Sequence, residues 1–529
     1  MKKQVLLLVM ALLPMIASAY DASIGGIYYN FNKEAKTATV TYKSGDKWTG
    51  YNQDWNITTA KIPESVEYKG VTYSVTSIGD HAFFRCSGLK SVTIPNSVKS
   101  IDQYAFAGCS SLASFSIPEG VTSIGKYAFG RCSCLTSIDI PDGVTHIGDD
   151  AFRDCGGLAS VDIPKTVTYI GGNAFEGTTW LNNQDDGVIY IGKMLYKYKG
   201  MMPENTRIVI KEGTASISGY AFIDCSGLIS VEFPNGVTTI GDWAFAGCSG
   251  LTSVTIPNSV TSIGEGAFAS SGLTSVTIPG SVLSIGGQAF YDCRALSSVN
   301  IEAGDTPLRF NKGEINVPTF DLAPLGSVFL GRNISYDWEL SPFREQRKLK
   351  SLTIGENVTN IGQYDFYSCG MDSINILNLL SWYKASSSDE IFDYHNCQLY
   401  LNDKEITELE IPESVKKIGN CAFCFCPDIT SVKVHWNRPL AGGADSFLAD
   451  VKKNATLYVP KGTAVMYMSA PGWIEFENIV EFEEESAINQ IETTPDGDAD
   501  WYTLDGRKQE GKPTERGVYL NNGKKIYVR

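Results

Sequence analysis

Two periods govern where apolar residues fall in this chain. Locally they alternate with polar ones, and that alternation then returns about every 23 residues. In LTSVTIPNSVTSIGEGAFAS (251–270), Val254 and Ile256 alternate with Ser253 and Thr255, the pattern of a half-buried strand. Pro257 cannot donate to a ladder and ends it. Val260 and Ile263 then bring the chain back inward, Gly264 permits the bend, and Ala267-Phe268 plugs the interior. The same unit is written at Leu89, Leu112, Leu135 and Leu158. It recurs at Ile94, Ile117, Ile140 and Ile163, each followed by proline, and at Phe83, Phe106, Phe129, Phe152 and Phe175, each preceded by alanine. The phenylalanine series resumes at Phe222, Phe245, Phe268 and Phe290, then at Phe366 and Phe423.

One such unit cannot bury its own apolar side, whereas stacked units bury one another. The expected fold is therefore a β-rich repeat solenoid with parallel strands lining one face, of about fourteen rungs when degenerate units are included. The register predicts that Val92, Val161, Val254 and Ile256 are buried while Thr93, Asp162 and Thr255 are accessible. The repeat region spans 73–480, with inserts near 178–205, 305–345 and 370–405. Within the first, GVIYIGKMLYKYKG reads as a hairpin around Gly192-Lys193, and QLYLNDKEITELEI gives a second hairpin-like segment. Residues 20–72 alternate without a clear repeat and suit an N-terminal β cap, which hides the first open edge. The acidic stretch 481–500 reads as a linker. After it, 501–529 carries three short strands separated by Asp505-Gly506 and Asn522-Gly523 turns, a small C-terminal β module.

Residues 1–19 have two lysines, an apolar run and a small-residue end at Ala17–Ala19, the layout of a secretory signal peptide cut near Ala19. The expected mature protein is secreted or displayed on the outer cell surface, with no membrane span. Lys+Arg 44 against Asp+Glu 59 gives a net charge of −15, with no basic cluster to offset it. Nucleic acid is accordingly not an expected partner.

The motifs S-V-T-I-P, T-S-I-G and A-F-x-x-C closely resemble those of the BspA-like leucine-rich repeat family of bacterial surface proteins, over residues from about 60 to 480. The resemblance implies a leucine-rich repeat solenoid on a secreted or surface protein, some members of the family being adhesins for host matrix proteins or other microbes. The tail WYTLDGRKQEGKPTERGVYLNNGKKIYVR is similar to the end of the C-terminal sorting domains of the type IX secretion route, though shorter than a full domain.

Little in the chain reads as catalytic or metal chemistry. Nine of the thirteen cysteines (86, 109, 132, 155, 225, 248, 293, 369 and 426) fall three residues after a plug phenylalanine, where other repeats carry Thr178 and Ser271. A slot that takes cysteine, serine or threonine wants a small buried group rather than a covalent partner. Cys421, Cys424 and His435 suggest zinc, but Cys426 already has its slot and no second CxxC exists. Asp496, Asp498 and Asp500 imitate the start of a calcium loop, yet Trp501 and Arg507 stand where glycine and a bidentate carboxylate belong. The four histidines have no nucleophile in a recognisable setting, and no phosphate loop occurs. No metal, no cofactor and no enzymatic activity are expected.

Binding is the expected role, and the strand face is where it is expected. One outward column is uniform: Ser91, Ser114, Ser137, Ser160, Ser230, Ser253, Ser275, Ser298 and Ser351. Its neighbour varies: Thr93, Ser116, Asp139, Asp162, Glu232, Thr255, Thr277, Asn300 and Thr353. A variable column on a rigid face is where an extracellular protein or glycan would be read, by a chain expected to act as a monomer. The alternative is a secreted hydrolase or glycan-capture protein whose chemistry sits in the inserts.

Overall fold

The architecture is that of a computed structural model. It describes residues 20–43, 57–313, 317–336, 341–361, 365–385, 397–419, 422–424 and 426–483, with 501–503, 508–509, 513, 517–521 and 524–528. Residues 1–19, expected to be a leader, residues 484–500 of the expected linker with the three aspartates, His395 and Cys421 lie outside the described residues. Two units divide the chain. The first holds 1–358 and 364–371, the second 359–363 and 372–529.

The fold is a β-solenoid of about 17 turns whose parallel strands lie roughly 23 residues apart. Sequence reasoning undercounted the turns because several rungs lack the repeat motif. Thr59–Lys61 pairs with Ser91–Thr93, Ser373–Ile376 with Gln398–Leu401, and Asn478–Phe482 with Thr456–Pro460. Each joins a ladder through backbone bonds, which do not need the motif's side chains.

In the first unit two ladders run along the stack. The face ladder includes Ser114–Ser116, Ser137–Asp139 and Ser160–Asp162, and later Ser275–Ile278, Ser298–Ile301, Ser327–Leu330 and Ser351–Ile354. The back ladder is built of two-residue strands such as Ser100–Ile101, Ser123–Ile124 and His146–Ile147. Between them the plug rings form a stacked column: Phe83, Phe106, Phe129, Phe152 and Phe175 follow one another at 5.1–5.4 Å. A second run goes from Phe222 through Phe245, Phe268, Phe290, Phe320 and Phe343 to Phe366. The insert separates the two runs. Its antiparallel hairpin, Gly187–Ile191 with Met194–Lys199, places the Tyr196 hydroxyl to accept from the Phe175 amide at 2.9 Å, a role the next rung's alanine carbonyl fills for Phe83, Phe106, Phe129 and Phe152.

The burial register holds at Ile256, which is buried, and at Thr93, Asp162 and Thr255, which are exposed. Val92, Val161 and Val254 are half-buried rather than buried. Val92 and Val161 pack on the core from its rim, and Leu251–Pro257 follows the same course but lacks the paired hydrogen bonds of a strand.

The glycine of T-S-I-G has a different reason from the bend expected of it. A Cβ built on Gly264 would lie 2.5 Å from the Asp242 nitrogen and 2.6 Å from the Gly241 carbonyl carbon, and on Gly125 it would lie 2.6 Å from Asp102 and Gln103 backbone. Adjacent rungs approach too closely there for any side chain. The cysteine slot is also more specific than small size requires. Cys109, Cys132, Cys155 and Cys248 each donate to the carbonyl of the plug phenylalanine one rung earlier, at 3.0–3.2 Å. Thr178 donates to the Phe175 carbonyl at 2.6 Å. The slot wants a small group with a proton to give.

The second unit continues the same physics with Glu408–Ile411, Ser431–Val434, Thr456–Pro460 and Asn478–Phe482 in one parallel ladder. The helix Leu379–Ala385, which the sequence did not announce, buries Trp382 and Tyr383. Their polar atoms donate to the Ala422 carbonyl at 3.2 Å and the Glu410 carbonyl at 3.0 Å. The tail forms an antiparallel four-stranded sheet, with Trp501 buried and Tyr519 packed on it.

Candidate functional site

The face ladders hold the candidate site residues in a fixed register. Ser116, Asp139 and Asp162 are direct neighbours, all exposed. Facing positions on adjacent strands lie about 4.8 Å apart. Asp139 and Asp162 are therefore like charges held side by side. Glu232 lies on a separate two-stranded ladder opposite Val209, which is 71% exposed. The structure thus brings two of the three acidic residues together and sets the third beyond the hairpin insert. Thr93 pairs with Lys61, Thr277 with Asn300, and Thr353 with Phe329. The Asn300 amide donates to the Thr277 hydroxyl at 3.5 Å. Thr255 is exposed on the segment that has no strand pairing.

Several residues of this column escaped the sequence reading: Lys61, Val209 and Phe329 in the first unit, and Tyr400, Glu410 and Lys433 in the second. The signal was present. Each stands one residue before the strand's last inward aliphatic or the position after it, as Thr255 stands before Ile256. At Glu410 the face becomes electrostatically organised. The Glu410 carboxylate accepts from His435 Nε2 at 2.8 Å and Lys433 Nζ at 3.0 Å, and these two contacts hold its pKa below the usual carboxylate range. The Lys433 ammonium lies 4.7 Å from the centre of the Phe482 ring, a cation–π distance.

That engagement uses His435, the residue that zinc would need. Among the described residues no group of three His, Cys, Asp or Glu is placed to hold a metal ion. Among the described residues eleven cysteines form no disulfide, and Cys424, outside the repeat slot, is disulfide-bonded.

The first insert borders a hollow of about 380 Å³ lined by Glu176, Lys197, Lys199, Asp224 and Cys225, among others. Its two lysines are engaged: Lys197 meets Glu176, and Lys199 meets Asp186 at 3.2 Å and the Gln184 carbonyl at 2.6 Å. Burial pushes the Cys225 thiol up to about 11, which keeps it protonated at neutral pH. Among the described residues no helix is long and apolar enough to cross a membrane.

Stacked rungs, a phenylalanine spine and an exposed strand face define the class: a leucine-rich repeat solenoid. The family model for the BspA type leucine rich repeat region matches in six copies, at residues 51–182, 191–311 and 396–439. This is more than half of the chain, and the chain belongs to that family. No curated protein matches. Among solved structures, a leucine-rich repeat protein from Bacteroides ovatus is 25% identical, covering 79% of this chain and 95% of its own, with a TM-score of 0.30. A leucine-rich cell surface protein from Faecalibacterium prausnitzii is 22% identical, covering 88% of this chain and 96% of its own, with a TM-score of 0.24. The family assignment rests on the repeat match, not on these two structures.

Proposed function

We propose that this chain is an extracellular or cell-surface binding and adhesion protein that presents its strand face to a protein or glycan ligand, without catalysis. Asp139 and Asp162, exposed and adjacent in register on a parallel ladder, carry the reading. Like charges facing each other across strands cost stability. A basic or multiply hydrogen-bonding partner relieves that repulsion, and the rigid ladder lets it do so with little ordering cost. Family membership, the leader-like residues 1–19 and the tail similar to type IX sorting domains support a place outside the cell.

The test is a screen of the purified chain on matrix-protein and glycan arrays, beside a generic hydrolase panel. The triple change Asp139→Asn, Asp162→Asn, Glu232→Gln keeps shape and removes three charges. It should keep the fold, with a thermal midpoint equal to or slightly above the parent's because the Asp139–Asp162 repulsion is relieved, and slow association with a protein partner, most clearly at low salt. A partner that bound the triple variant as fast as the parent would move recognition off this column. Turnover abolished by a single carboxylate substitution in an insert would replace the binding reading with an enzymatic one.

A further inference from the structure

In the first unit the segment that follows each strand-ending proline returns as a back-ladder strand, as Val98-Lys99-Ser100-Ile101 does. The equivalent segment of the second unit, Val415-Lys416-Lys417-Ile418, forms no such strand. Lysine 417 stands where the earlier rungs carry Ser100, Ser123 or Ser262. Beside it lies the helix Leu379–Ala385, whose Trp382 and Tyr383 are anchored inward, leaving Leu380 and Lys384, four apart and so on one helical face, turned outward. Helix and segment enclose a hollow of about 520 Å³.

The chemistry of its wall is lopsided. Leu380, Tyr383 and Val415 give it an apolar floor, and Leu380 remains half exposed although it lies against a largely buried pair. Lys384, Lys416 and Lys417 stand around it, all exposed, and among the described residues no carboxylate lines it. None of the three lysines has an ion pair among the described residues. In a chain of net charge −15 this is a local reversal of sign. An apolar floor under unpaired ammonium groups is complementary to a molecule with one anionic end and an apolar body. Its volume is in the range of sites that take small ligands.

We propose that this hollow binds a single-chain amphiphilic carboxylate, the chain lying on Leu380, Tyr383 and Val415 and the carboxylate meeting Lys416, Lys417 and Lys384. This site is separate from the strand-face reading and does not depend on it.

The experiment uses the full chain and dansyl-undecanoate as a fluorescent reporter. Dodecanoate, below its micellar concentration, should displace the reporter along a single-site curve. Acetate, which has the head without the chain, and dodecyltrimethylammonium, which has the chain with the opposite charge, should both fail. Lys416→Gln with Lys417→Gln should weaken dodecanoate by about tenfold or more and flatten its salt dependence, at an unchanged thermal midpoint. Leu380→Asp, which sets a carboxylate on the exposed lip, should weaken it as much. The proposal is overturned if the cationic amphiphile displaces the reporter as well as dodecanoate does, if acetate does so, or if the lysine variant binds like the parent.

Discussion

Phe245 is the residue at which the stacked core is most directly tested. It is fully buried, with Phe222 stacked at 5.1 Å on one side, Phe268 at 5.3 Å on the other, and the edge of Phe233 at 5.8 Å. Truncating a buried phenylalanine to alanine costs about 3–5 kcal/mol, the upper end applying where the surroundings cannot collapse. They cannot do so readily here. The Phe222 and Phe268 amides donate to the Ala244 and Ala289 carbonyls of the next rung at 2.7 and 2.8 Å, so the two rings are held apart with the void between them. Phe245→Ala should therefore cost about 4–5 kcal/mol, and Phe245→Leu, which keeps most of the volume, about 1–2 kcal/mol. Because repeats couple mainly to their neighbours, a global midpoint would blur the effect. Hydrogen exchange of the Thr239–Ile240 and Ser262–Ile263 amides is the sharper assay. At a factor of ten per 1.4 kcal/mol, exchange there should speed up about a thousandfold in the alanine variant. Exchange within about threefold of the parent would refute the claim that the ring column holds these rungs together.

Three further outcomes follow from the fold. Gly264→Ala should cost about 1–3 kcal/mol by urea unfolding, because its Cβ would press on the Asp242 rung, whereas Gly192→Ala, which meets nothing within 4 Å, should show only the strain of its positive φ. In the native protein a thiol reagent should label the exposed Cys134 quickly and spare Cys86, whose thiol burial pushes up to about 12; full labelling should need denaturant. Glu410, with its pKa held below the ordinary 4.5 by His435 and Lys433, contributes stability that is complete above 4.5 and is lost as pH falls through the depressed value. Thermal midpoints of the parent and Glu410→Gln should therefore differ at neutral pH and converge in acid; a constant difference would show that the three-residue contact adds nothing.

The repeat made the core legible, because each position is written many times and the shared residue reports the shared environment. Phe106, Leu112 and Ile263 could be placed inside without any structure for that reason. Reasons were harder to read than places. Gly264 looks like a flexible turn residue in sequence, and only the distance to the rung before it shows that it is there for want of space. The cysteine slot likewise looked merely small until its donation to the preceding carbonyl was visible. Single-copy segments were the least readable. LLSWYKA is too short to display a helical period, and no second copy exists for comparison. The acidic column was read at the right offset, but its continuity was overstated, since the hairpin insert parts Glu232 from Asp162.

The hairpin that interrupts the phenylalanine column has a consequence for how the first unit comes apart. Where rings stack without a gap, loosening one rung exposes the next ring and an opening front can advance. At Phe175 that front meets a different joint: a phenol in place of a neighbouring carbonyl, and Tyr196 set edge-on to the ring at 6.0 Å instead of stacked on it. Weak nearest-neighbour coupling at one point in a linear array is where melting fronts stall and where two cooperative blocks are divided. A chain held at one end and pulled at the other would then yield in steps rather than unravel in one run, with the insert acting as a fuse between the block that ends at Phe175 and the block that begins at Phe222.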